Sequence, residues 1–329
     1  MKKKIFIHVG YPKTGTTTLQ KHFFPKIEEI QYLGKRYRGK EPFLFEQSVI
    51  NTLIFNKFDT IHFDAIQAVF DEVIYGNCSI LSEESILFNS LRTSRIGYSD
   101  ITPLPSEIAK NFREAFHEEK FDVNIIFSIR KQDEMVTSLY AQSYTHYYAK
   151  YKAYDTFEKF LSLFLNQQTH PFRYALDYNA VIGEFQALFG KKNIHVMVFE
   201  KLQKKPEQFY QNLCQILGVD FDKYSNVLSA KQENRRSTDV SYKKTRPMSL
   251  YHFLLAMKRK YFDIPVKLTE KQTDWLKSIR VGNNDKLNKT IVLTQEQKEA
   301  LMQKYEYGNR ELSKQFDLDL GRFGYFHDK

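Results

Sequence analysis

Three short runs of consecutive apolar residues stand out along the chain: Lys4–Val9, Val123–Ile129 and Ile194–Phe199. Each is too short for a buried helix and is bounded by polar or turn residues, the pattern of a strand covered on both faces. Ser79–Leu81 is a shorter run of the same kind. Between them, apolar positions recur at helical spacing over Thr16–Ile27, Ile61–Val73, Ser106–Phe116, Glu134–Tyr147, Phe157–Leu165 and Leu176–Phe189. A further helix is predicted from Pro206 to Leu217, opened by the proline and closed by Gly218. Strands alternating with helices predict an α/β fold, a central parallel sheet flanked by helices in three layers. Past residue 220 the strand pattern stops, and mostly helical segments follow, ending in a long one at Thr294–Phe316. One domain over 1–329 is expected, with 1–220 as the α/β core and 221–329 as a helical, basic elaboration.

Composition narrows the class. Of 329 residues, 42% are hydrophobic, 27% charged and 15% aromatic, which excludes a disordered chain, a collagen-like repeat and a coiled-coil rod. The formal net charge is +10, unevenly spread: residues 1–230 carry 28 basic and 26 acidic side chains, whereas 231–260 carry nine basic and two acidic. That stretch is either a solvated lysine-rich face or the place where an anionic partner is met. Cys78 and Cys214 stand far apart in no metal-ligand spacing, so neither a disulfide framework nor a metal site is expected, and a reducing compartment fits. No run approaches the ~18 apolar residues of a membrane span. Ile5–Val9 is too short for a signal peptide and runs straight into a turn, so the expected location is cytoplasmic.

The most informative segment follows the first strand: Gly10-Tyr11-Pro12-Lys13-Thr14-Gly15-Thr16-Thr17-Thr18-Leu19. A strand, a glycine-bounded loop and a helix start together form an anion cradle, in which backbone N–H groups converge on a negative ligand. The glycine frame fits the nucleoside-triphosphate template GxxxxGK[ST], but Thr16 stands where that template has its lysine, and the lysine has moved into the loop as Lys13. No apolar strand ends in a well-placed aspartate to hold Mg²⁺, as a kinase using ATP requires. Three consecutive threonines are poor helix formers unless their hydroxyls are used. Tyr11-Pro12-Lys13-Thr14-Gly15-Thr16-Thr17 closely resembles the 5′-phosphosulfate loop of the sulfotransferases, enzymes that use 3′-phosphoadenosine 5′-phosphosulfate (PAPS).

The resemblance implies PAPS as cofactor, 3′-phosphoadenosine 5′-phosphate as product and no metal. It implies a cofactor-binding stretch Tyr11, Pro12, Lys13, Thr14, Gly15, Thr16, Thr17 and Thr18, with Lys13 also catalytic. A 3′-phosphate needs its own reader. Strand Val123–Ile129 runs into Arg130, and Ser138 follows eight residues later on the next helix, expected to be capped by Asp133. This looks like the family's 3′-phosphate motif, with Lys131-Gln132 where Asn-Pro is frequent. An arginine fork and a hydroxyl suit one phosphate. Leu176-Asp177-Tyr178, the helix to Phe189-Gly190 and the strand to Val198-Phe199-Glu200-Lys201-Leu202 resemble the family's later strand and its acidic-residue loop, and Asn309, Leu312, Phe316 and Gly324-Tyr325 are similar to the C-terminal helix of bacterial members.

Transfer to a hydroxyl requires a base. Ser79–Leu81 ends in Ser82-Glu83-Glu84-Ser85, and the carboxyl ends of parallel strands line the ligand crevice. In glycan-modifying and bacterial relatives a glutamate in this region looks like the catalytic base, where cytosolic relatives carry a histidine that this segment lacks. The resemblance points to Glu84, with Glu83 as the alternative, and the competing role for both is to cap the following helix at Ile86–Leu91. Arg235 and Arg236 lie where relatives have a basic loop closing over the cofactor. His8 reads as a packed core residue, and the tyrosines at 140, 144, 147, 148 and 151 as packing. The expected acceptor bears a hydroxyl, or as a lesser alternative an amine, on a glycan (an anionic one included) or a small metabolite. The rival readings are a P-loop kinase and a non-catalytic binder of anionic polymers through 231–260; no nucleic-acid motif is present.

Overall fold

The computed structural model describes residues 2–34, 44–88, 104–144, 154–166, 174–228, 241–243, 248–251, 254, 269–281 and 288–327. Five strands form one parallel sheet: β1 (Lys3–Gly10), β2 (Gln31–Tyr32), β3 (Cys78–Ser82), β4 (Phe121–Ile129) and β5 (Ile194–Val198). Their order is β2-β3-β1-β4-β5, so β1 lies between β3 and β4. Side chains alternate across the sheet. Ile5, Ile7 and Val9 of β1 join Ile125, Phe127 and Ile129 of β4 in one core cluster; Phe6, Ile80 and Ile126 join the other. The first cluster is closed by helices Pro105–Ala115, Phe157–Leu165, Tyr178–Phe189 and Gln295–Gln315, the second by Leu19, Phe23 and Phe24 and by helix Pro206–Leu217. Both faces being covered explains why these strands read as continuous apolar runs.

Several boundaries differ from the sequence expectation for identifiable reasons. The stretch expected as one helix at Thr16–Ile27 is a single α turn, Thr16–Thr18, which widens into a π turn at Leu19–Phe23 and tightens to a 3₁₀ turn at Phe24–Lys26. Pro25, lacking an N–H, cannot continue an α-helix there. The helix after β4 starts at Gln132, with Lys131 at the N-cap and no side-chain cap, rather than being capped by Asp133. Phe199 opens the short helix Phe199–Lys204 instead of ending β5. The helix Leu44–Phe55 was not expected, although Val49-Ile50 and Leu53-Ile54, one turn apart and buried, carry its signal. Past residue 220, two small antiparallel pairs appear, Ser241–Lys243 with Asn288–Thr290 and Met248–Ser249 with Arg280–Val281. Strands of two or three residues leave no periodicity to read. The final helix, Gln295–Gln315, has Thr294 and Gln297 in a capping box at its start. Among the described residues no helix is long and apolar enough to cross a membrane.

Candidate active site

The loop after β1 opens at the carboxyl end of the sheet, flanked by the ends of β3 and β4. Its backbone is tightly specified. Tyr11 N–H donates to the Ser128 carbonyl of β4 at 3.1 Å, and the Thr18 and Leu19 N–H groups close on the Gly15 carbonyl at 3.0 and 3.2 Å. Gly15 has φ 81°, and a Cβ there would meet Leu202 Cδ2 at 2.6 Å; one at Gly10 would meet Thr16 Cγ2 at 2.0 Å. Gly10 is therefore demanded by space, and Gly15 by its conformation. Lys13 also adopts the left-handed region, with φ 66°. For a residue with a Cβ this costs about 1–2 kcal/mol. Tyr11, Pro12 and Thr14 turn their side chains inward: the Tyr11 ring packs on Tyr178 at 4.9 Å, and the Thr14 hydroxyl donates to the Tyr11 carbonyl. Burial pushes the Tyr11 and Tyr178 phenols well above their ordinary range, so both stay neutral. Lys13 and Thr17 are half-exposed, and Thr16 and Thr18 are buried.

Both flanks also meet this loop through side chains. From the β3 side, the Thr16 hydroxyl donates to Glu84 Oε2 at 3.0 Å. Its neighbour Glu83 does something different: Oε1 accepts the Ser85 N–H at 2.9 Å, capping the start of helix Ser85–Phe88. From the β4 side, Arg130 Nη1 donates to the Lys13 carbonyl at 3.2 Å. One edge of that guanidinium is held too, by Glu134 Oε2 on Nε (3.2 Å) and Nη2 (2.8 Å), with its Cζ 4.9 Å from the centre of the Phe199 ring. Ser138 is buried and lies one helical turn beyond Glu134 on the same face, and its hydroxyl makes no hydrogen bond among the described residues. Arg235 and Arg236, and the tyrosines at 147, 148 and 151, lie outside the described residues.

Beneath the loop, three strand ends are stitched by polar groups. His8 of β1 is buried, with Nδ1 at 2.8 Å from Ser82 Oγ and Nε2 at 2.9 Å from Ser128 Oγ. Gln20 Nε2 donates to Ser82 Oγ at 3.1 Å. Burial lowers the His8 pKa to about 3, so the ring is neutral, one nitrogen donating and the other accepting. It is a core residue, as its place inside an apolar strand suggested.

A second buried network fixes the Arg130 backbone, and sequence reasoning missed it. The Arg130 carbonyl accepts from Tyr178 OH at 2.6 Å. The Lys131 N–H donates to Glu200 Oε1 at 2.9 Å, and Glu200 Oε2 accepts from Tyr325 OH at 2.9 Å. Burial pushes the Glu200 carboxyl up, opposed by these donors. Gln132 and Asn309 exchange amide hydrogen bonds at 2.9 and 3.2 Å, and Asn309 also donates to the Tyr325 carbonyl at 3.0 Å. Gln132, a departure from the frequent Asn-Pro, is thus a tie to the last helix. The acidic-residue loop and the Tyr325 ending converge on this point.

This fold, with its glycine-framed loop after the first strand, is a P-loop-like α/β architecture. The sulfotransferase domain family matches residues 2–305, and the chain belongs to that family. Among solved structures, a sulfotransferase from Alicyclobacillus acidocaldarius superposes with a TM-score of 0.50 at 13% identity, covering 98% of each chain. A mouse sulfotransferase complexed with PAP aligns over 98% of this chain and 88% of its own, at 14% identity and a TM-score of 0.43. No curated protein matches the chain.

Proposed function

We propose that the protein transfers a sulfuryl group from PAPS to a hydroxyl on an acceptor such as a glycan or small metabolite, within the cytoplasm. The observation that carries this reading is the hydrogen bond from Thr16 to Glu84, which sets a carboxylate beside the loop that resembles the 5′-phosphosulfate cradle. The residues fit the nucleotide. Arg130 has three of its N–H groups engaged, by Glu134 and the Lys13 carbonyl, out of the five a guanidinium carries. The remaining two, with the unengaged Ser138 hydroxyl one turn along the same helix face, suit a 3′-phosphate.

PAPS, when bound, supplies the activated sulfuryl group. In this reading Lys13, Thr16 and Thr17 hold the 5′-phosphosulfate end, and Lys13 stabilises the charge that grows on the departing phosphate oxygen. Glu84 takes the acceptor proton. Glu83 serves the fold, as the cap of its own turn. Arg130 and Ser138 read the 3′-phosphate, and Arg235 and Arg236, which lie outside the described residues, are assigned to the cofactor. Melting-temperature measurements test the cofactor: 3′-phosphoadenosine 5′-phosphate should raise it, and ATP with Mg²⁺ should not. A shift with ATP and Mg²⁺ alone would favour a kinase instead.

A further inference from the structure

We propose that Arg130 is also a positioning residue for the 5′-phosphosulfate loop, holding Lys13 in its left-handed turn, so that the two phosphate sites are coupled through one guanidinium. This rests on the reading of Arg130 as the 3′-phosphate contact. Three observations carry it. Lys13 sits at φ 66°, a conformation that its own Cβ disfavours and that the surroundings must maintain. The Lys13 carbonyl, one peptide along, accepts Arg130 Nη1 at 3.2 Å. Arg130 is itself immobilised from base to tip: Tyr178 OH grips its carbonyl, Glu200 the next N–H, Glu134 the Nε–Nη2 edge, and Phe199 lies against its plane. A side chain pinned at both ends is a strut between β4 and the loop after β1.

The consequence is thermodynamic. If the group that meets the 3′-phosphate also holds the Lys13 turn, occupying one site favours the competent geometry of the other, and the coupling is reciprocal. The 3′-phosphate then contributes to turnover as well as to affinity. Losing Arg130 should weaken even ligands that have no 3′-phosphate.

The test uses the full chain and two nucleotides, 3′-phosphoadenosine 5′-phosphate and adenosine 5′-phosphate, titrated by calorimetry into wild type, Arg130→Ala and Arg130→Lys, with melting temperature as the folding check. Coupling predicts that Arg130→Ala weakens adenosine 5′-phosphate about tenfold, the equivalent of ~1.4 kcal/mol, although that ligand lacks the phosphate Arg130 reads. Turnover at saturating PAPS should fall by a similar factor, a change that mere loss of stability in a folded variant does not produce. If Arg130→Ala does not fold, Arg130→Lys gives the same comparison, since one ammonium cannot serve the loop carbonyl, Glu134 and a phosphate together. Unchanged affinity for adenosine 5′-phosphate, with only the 3′-phosphorylated ligand weakened, would overturn the coupling and leave the 3′-phosphate reading intact. Equal wild-type affinity for the two nucleotides would remove that reading and this proposal with it.

Discussion

Thr16 and Glu84, 68 positions apart in the chain, are joined by a 3.0 Å hydrogen bond across the carboxyl ends of β1 and β3. The pairing of these strands places His8 opposite Ser82 and so carries the two residues that follow β3 up to the loop. Gly10 leaves room for the Thr16 methyl, which fixes the hydroxyl on the Glu84 side.

If Glu84 is the base, Glu84→Gln keeps the shape and should leave affinity for 3′-phosphoadenosine 5′-phosphate nearly unchanged while turnover falls about a hundred- to ten-thousandfold. Glu83→Ala should show the opposite pattern. Its carboxylate caps the Ser85 N–H, so a loss of about 1 kcal/mol in stability is expected with turnover largely retained. Melting temperature and turnover measured on both variants decide the assignment; full activity in Glu84→Gln would move the base elsewhere.

Lys13 offers a way to separate catalysis from folding. Lys13→Gly relieves the left-handed strain at φ 66° and should be no less stable than wild type. Turnover should nevertheless fall about a hundredfold or more, since the stabilising charge is gone. A glycine variant within a few-fold of wild-type turnover would deny Lys13 a part in the chemistry.

The strands β1 and β4, and the loop between β1 and its helix, were legible because buried parallel strands and glycine-framed loops leave strong local patterns. β2, two residues long, was not, and neither was the π turn after Thr18. The site was half legible. Arg130 and Ser138 are proposed from a local motif, whereas the contact to Thr16 that favours Glu84 over the adjacent Glu83 is tertiary. Tyr178, Glu200 and Asn309 act through hydrogen bonds to Arg130, Lys131 and Gln132 spanning up to 177 positions, and Tyr325 through Glu200 and Asn309, none of which periodicity reports. The family resemblance flagged Tyr178, Glu200, Asn309 and Tyr325 without saying what they hold.

That network makes its own prediction. Tyr325→Phe removes the hydroxyl that donates to the buried Glu200 carboxylate at 2.9 Å. A hydrogen bond to a charged group is worth roughly 1.5–3 kcal/mol, so urea unfolding should show a loss in that range. A loss below about 0.5 kcal/mol, the scale of a neutral surface change, would mean that Glu200 is satisfied without Tyr325.

His8 predicts a pH dependence of stability. Burial lowers its pKa to about 3 in the fold, against an ordinary value of 6.5 in the unfolded chain. Between those values the unfolded state binds a proton that the folded state refuses, so stability falls as pH drops from about 6.5 towards 3. One such proton corresponds to ~1.4 kcal/mol per pH unit. His8→Gln, compared with wild type by urea unfolding from neutral pH down to about pH 4, should show a slope shallower by up to that amount, while shared carboxylates cancel in the difference. Parallel slopes would mean that His8 is protonated in the fold.

The central claim, a site built for an adenine nucleotide bearing both a 5′- and a 3′-phosphate, is tested most directly by titrating wild type with 3′-phosphoadenosine 5′-phosphate and with adenosine 5′-phosphate. A charge-assisted contact from Arg130, worth about 1.5–3 kcal/mol, predicts that the 3′-phosphorylated nucleotide binds tighter by roughly tenfold or more. Equal affinity for the two nucleotides would contradict the account.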